Sequence, residues 1–188
     1  MSSSSSAAAT LAAAVAAGRM HEYTFESERL LRTALRDVYL TRQYTTITGT
    51  AKNPHSTRPP TTLERYEPST NELTKAVIDW KARTLQVGGE MKGVDEVKRK
   101  TGNFTGSRYW RWGDDKEEYK VRYLDNMWIA SDANNEPVAS LTSATKHVFK
   151  PNPLPVLRLS RALQSEPQRQ FVILLLLYSE TKRLDRQD

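Results

Sequence analysis

Phe171-Val172-Ile173-Leu174-Leu175-Leu176-Leu177-Tyr178 is an unbroken apolar run. A helix made from it is apolar on every side, so something apolar must surround it. Eight residues rise only ~12 Å as a helix, well short of the ~20 residues that span a bilayer, so a buried core helix is the better reading. The preceding Ser165-Glu166-Pro167-Gln168 offers an N-cap serine, an acid in the first turn, a proline near the start and a glutamine at the capping-box position. Glu180, Lys182 and Arg183 return the chain to water, so the helix is predicted over residues 166–183.

What precedes this helix reads as strands. Residues 37–43 and 44–50 are rich in Tyr, Thr, Val and Ile, and a proline-bearing turn segment, 52–60, follows. Residues 61–66, 76–81 and 84–87 continue the series, punctuated by Pro68-Ser69-Thr70-Asn71 and Gly88-Gly89. Residues 126–131, 137–142, 146–150 and 156–159 complete it, while the state of 21–35 stays ambiguous between strand and helix. Short strands every eight to twelve residues mean a sandwich or barrel. With one all-apolar helix at the end, the sheet must curl around it.

The clearest local object is a hairpin around Gly113-Asp114-Asp115-Lys116. Opposing Trp112 to Glu117 sets Arg111 against Glu118, Trp110 against Tyr119 and Tyr109 against Lys120. One face then carries Trp110, Trp112, Tyr119, Val121 and Tyr123 and reads as core. The other carries Tyr109, Arg111, Glu118, Lys120 and Arg122. Tyr109, Arg111, Lys120 and Arg122 form the candidate anionic-ligand face, since basic residues interleaved with an aromatic suit phosphates, bases or lipid headgroups. A solvated outer face with an Arg111–Glu118 pair explains the same pattern. Lys98-Arg99-Lys100 reads as a basic loop or edge.

The 188 residues carry 38% hydrophobic and 27% charged residues, four Trp and eight Tyr, the mixture of a folded protein. They divide into a flexible Ser/Ala-rich leader, 1–19, and a single domain, 20–188. The leader lacks the basic start of a secretory signal, so the triplet Asn103-Phe104-Thr105 carries no glycosylation argument and a cytoplasmic location is expected. Zero cysteines exclude disulfides and thiolate chemistry. The net charge of +6 permits an anionic partner but also serves plain solubility.

Catalytic and metal signatures are thin. His21, His55 and His147 lack metal-ligand spacing, Asp114 and Asp115 read as turn formers, and no phosphate loop or nucleophile elbow is present. The expectation is a non-enzymatic module without cofactor or metal.

Taken in order, Asp37-Val38-Tyr39-Leu40-Thr41, Thr61-Thr62-Leu63-Glu64-Arg65, Val77-Ile78-Asp79-Trp80, the aromatic hairpin from Tyr109 to Tyr119 and the helix ending Glu180-Thr181-Lys182-Arg183 resemble a fungal family of unknown function with a tubby C-terminal-like domain. That superfamily includes the LURP-one-related proteins and the phospholipid scramblases. The resemblance implies a mainly β (α+β) fold, a closed antiparallel barrel of about twelve strands around a buried hydrophobic C-terminal helix. It transfers no lipid-binding residues and no scramblase activity, because the positions that carry them in those relatives have no counterpart here. Three functions follow as expectations: peripheral binding of anionic phospholipid without a transmembrane segment, a protein-interaction or structural scaffold, and single-stranded nucleic-acid binding.

Overall fold

In a computed structural model, residues 4–51, 57–100, 107–142 and 153–186 are described. Four features of the sequence reading lie outside them: the strand at 146–150, the glycosylation triplet, His55 and His147.

The described residues fold as one antiparallel sheet of thirteen strands, two short helices and a long C-terminal helix. A helix α1, Ser4–Ala16, precedes β1, Met20–Phe25; β2, Thr33–Arg36; β3, Arg42–Thr48; β4, Thr61–Glu67; β5, Glu72–Asp79; β6, Thr84–Val87; and β7, Glu90–Gly93. A four-residue helix α2, Val94–Val97, leads to β8, Lys98–Lys100; β9, Arg108–Arg111; β10, Glu118–Leu124; β11, Met127–Ser131; β12, Pro137–Thr142; and β13, Val156–Ser160. The helix α3, Glu166–Leu184, comes last. Two meanders, β1–β7 and β8–β13, meet in the middle of the sheet, where β1 pairs with β13 and Met20 lies opposite Ser160.

The expected barrel of about twelve strands is therefore a thirteen-stranded sheet that hydrogen bonds do not close. The two edge strands, β7 and β8, are consecutive in the chain, yet α2 separates them and buries Val94 and Val97 in the main core. Side chains tie β7 to the residue just past β9 instead. Lys92 Nζ of β7 donates to the Trp112 carbonyl at 2.6 Å, and Trp112 Nε1 donates to Glu90 Oε2 at 2.8 Å.

The sheet wraps α3. Every residue of that helix from Gln170 to Thr181 is buried. Trp80, just past β5, stacks on Tyr178 at 5.6 Å, and Trp110 of β9 meets the same ring edge-on at 5.7 Å. These two tryptophans come from opposite flanks of the sheet, so the sheet must curve to bring them to one ring. Ser165 caps the helix, its hydroxyl accepting the Gln168 N–H at 3.3 Å, with Pro167 in the first turn.

Of the segment 37–43, predicted as strand, residues 37–41 instead form an ordered turn and only Arg42 and Gln43 enter β3, because the Asp37 carboxylate captures the N–H groups of Tyr39 and Thr41 that a ladder would use. Residues 4–16 of the leader form α1, whose Leu11 and Ala14 are buried against Met20 and Met127 on the face of the sheet away from α3.

Candidate functional site

The β9–β10 hairpin has the register deduced from its aromatic alternation, with Arg111 opposite Glu118, Trp110 opposite Tyr119 and Tyr109 opposite Lys120. Trp110, Tyr119 and Val121 are buried. Tyr109, Arg111, Lys120 and Arg122 share the outer face, but much of their binding capacity is already engaged. Arg99 of β8 grips Glu118 through Nε at 2.8 Å and Nη2 at 2.6 Å, and Arg111 approaches the same carboxylate at 3.6 Å. The hydrogen bond from Arg99 holds the Glu118 carboxyl below its ordinary range. The Arg99 guanidinium also lies 5.1 Å from the Tyr109 ring centroid, occupying a face that a base would need. Arg122 Nε is buried without a hydrogen-bond partner among the described residues, and of the four only Arg111 is exposed, its side chain at 43%.

A different set of groups converges where α3 begins. The turn between β2 and β3 is built on Asp37, whose Oδ1 accepts from the N–H groups of Tyr39 and Thr41, each at 2.9 Å. Its Oδ2 accepts from Gln43 Nε2 at 2.9 Å. Desolvation alone would raise the Asp37 carboxyl, yet these three donors outweigh it and hold it low. The turn closes with Leu40 at φ 64°, and Arg36 Nη1 donates to the Leu40 carbonyl at 2.6 Å. The result is a fixed tip that presents Val38, Tyr39 and Leu40 to solvent at 69, 85 and 73% exposure.

Beside this tip lies a cavity of about 550 Å³ whose lining includes His21, Tyr23, Tyr44, Arg65, Arg161 and Arg169. Arg65 reaches it from β4, Arg161 from the turn after β13 and Arg169 from the first turns of α3. Glu166 answers two of these cations. Its Oε2 lies 2.5 Å from Arg65 Nη1 and 3.7 Å from Arg169 Nη1, and accepts from the Tyr44 hydroxyl at 3.3 Å. Burial raises the Glu166 carboxyl against the pull of Arg65, and Glu166 Oε1 is buried without a partner. Arg161 is exposed and makes no ion pair among the described residues. Burial lowers His21, and the fields of Arg161, Arg169 and Arg65 lower it further, so the imidazole stays neutral amid a positive potential.

Sequence reasoning missed this constellation, although its turn residues fall inside a quoted motif. Asp37, four residues before Thr41, is the signal for a side-chain-capped turn, and it was outweighed by the strand-forming Val38 and Tyr39. Among the described residues no group of three His, Asp or Glu is arranged to hold a metal ion, and no helix is long and apolar enough to cross a membrane.

The chain matches no protein-family model, no curated protein and no solved structure.

Proposed function

We propose that this protein is a non-enzymatic, tubby C-terminal-like binding module with a barrel-like sheet, which docks peripherally on anionic phospholipid at the cytoplasmic leaflet. The observation that supports this reading is the pairing of the Val38-Tyr39-Leu40 tip with the arginine-lined cavity beside it. Large apolar side chains held rigidly in water gain by entering an acyl layer. Arg42 and Arg161 beside the tip and cavity, both exposed, supply attraction to a negatively charged surface, at about 1 kcal/mol per cation, while Arg36 is already paired with Glu26. In this reading the tip enters the bilayer while the cavity meets the headgroup layer, and the face bearing Arg111, Lys120 and Arg122 adds only long-range attraction.

Co-sedimentation of the full chain with neutral vesicles and with phosphatidylserine vesicles across a salt series tests it. The expected result is binding to the acidic vesicles alone, weakening as salt rises. Arg161→Glu and the double change Tyr39→Asp with Leu40→Asp should each weaken binding by about an order of magnitude, more than Lys120→Glu with Arg122→Glu. Indifference to acidic vesicles would overturn the reading and leave a protein-interaction scaffold in its place.

A further inference from the structure

A second cavity of about 270 Å³ opens between the start of α3, the end of β6 and the β9–β10 hairpin. Its walls are Val87 at the end of β6, Trp112 beyond β9, Tyr119 of β10 and Pro167 and Phe171 of α3. Val87, Tyr119 and Phe171 are only 4, 2 and 3% exposed, so the floor of the cavity is interior, while Lys116, Glu117, Ser165 and Pro167 at its rim are exposed. Interiors close-pack, and an apolar void of this kind takes apolar guests more readily than water.

The walls are fixed from outside. Trp112 is held by its indole N–H on Glu90 and meets Phe171 edge-on at 5.3 Å. Gly88, at φ 59°, brings the β6–β7 turn against Pro167. Beside Lys116, Glu117 and Ser165, Gln168 is the polar side chain that is fixed at this rim. Gln168 Nε2 donates to the Tyr119 hydroxyl at 2.8 Å and to Glu117 Oε2 at 3.3 Å, which fixes the amide and turns its carbonyl oxygen away from them. That oxygen accepts no hydrogen bond among the described residues.

We propose that this cavity is a binding site for a small aromatic molecule of one or two rings bearing a single N–H or O–H donor. The volume lies just below that of sites for drug-sized ligands, which limits the guest to a fragment of that size. Three aromatic walls favour a flat ring, and the unused Gln168 carbonyl favours a donor on its edge. The site stands independently of the membrane reading.

Indole and 1-methylindole, which lacks the N–H, are the probes. Each is titrated into the full-length protein while the Trp112 indole and Gln168 amide resonances are followed by nuclear magnetic resonance. The expected result is a saturable shift confined to these two signals, with 1-methylindole about tenfold weaker, the weight of one hydrogen bond. Val87→Phe, which fills the cavity, should abolish it. Should that variant not fold, Gln168→Leu should bring indole down to the affinity of 1-methylindole. The proposal falls if no saturable shift develops, if Trp80, Trp110 and Trp128 move equally, if the two probes bind alike, or if the shift survives a folded Val87→Phe.

Discussion

The indole of Trp80 stacks on the phenol ring of Tyr178 with 5.6 Å between centroids and 6° between planes, while its N–H donates to Thr61 Oγ1 at 2.8 Å. One side chain thereby ties the first meander to the helix through both its face and its edge. Trp80→Ala removes the stacked area and leaves a cavity, and should cost ~3–5 kcal/mol in urea unfolding.

Leu175, fully buried in the middle of α3, admits no charge. Leu175→Asp places a carboxylate among Leu, Ile and Phe side chains with no partner, at a cost comparable to the whole stability of a domain. The expected outcome is an unfolded or aggregated protein by circular dichroism. A soluble variant that melts cooperatively would contradict the wrapped-helix architecture.

Glu180 does not return the helix to water as the sequence suggests: it is 1% exposed, because its carboxylate is held by Trp128 Nε1 at 2.8 Å and by Arg183 through Nε at 2.7 Å and Nη2 at 2.8 Å. Glu180→Leu strands both donors and should cost ~3 kcal/mol. Adding Arg183→Leu should recover part of the loss in a double-mutant cycle, because the uncompensated cation is then gone.

Glu118 gives the fold a small acid sensitivity. Arg99 depresses its carboxyl in the folded state, so its contribution to stability is present above the ordinary glutamate value of ~4.3 and fades as pH falls through the lower, folded value. Wild type should therefore exceed Glu118→Gln in stability near neutrality, and thermal melts should show the gap closing with acidification below that ordinary value. A gap that widened as pH fell would reverse the sign and refute the pairing.

The elements legible in the sequence are those whose determinants are local. The α3 boundaries follow from Ser165 and Pro167 beside an apolar run, and the β9–β10 register follows from alternating Trp110, Tyr119 and Val121. The turn at Asp37 was obscured because Val38 and Tyr39 have strand-like composition, and only the side-chain capture of two N–H groups decides against a strand. The open edge was equally hidden. Whether β7 and β8 pair depends on the four residues of α2, whose Val94 and Val97 are buried in the main core. Arg65 meets Arg161 and Arg169 only because β1 pairs with β13 and joins the meander that carries β4 to the segment that runs into α3. No periodicity within any one segment reports that meeting.

The helix enclosed by the sheet follows every strand in chain order. A chain emerging from a ribosome would thus make Leu63, Ile78, Leu85 and Trp110, all of them sealed in the finished core, before the residues that seal them. During that interval the two meanders form a half-made trough with an oily lining, a species open to aggregation and to capture by chaperones. A stop codon just before Ser165 would therefore remove the centre of the protein and leave that trough permanently unfilled.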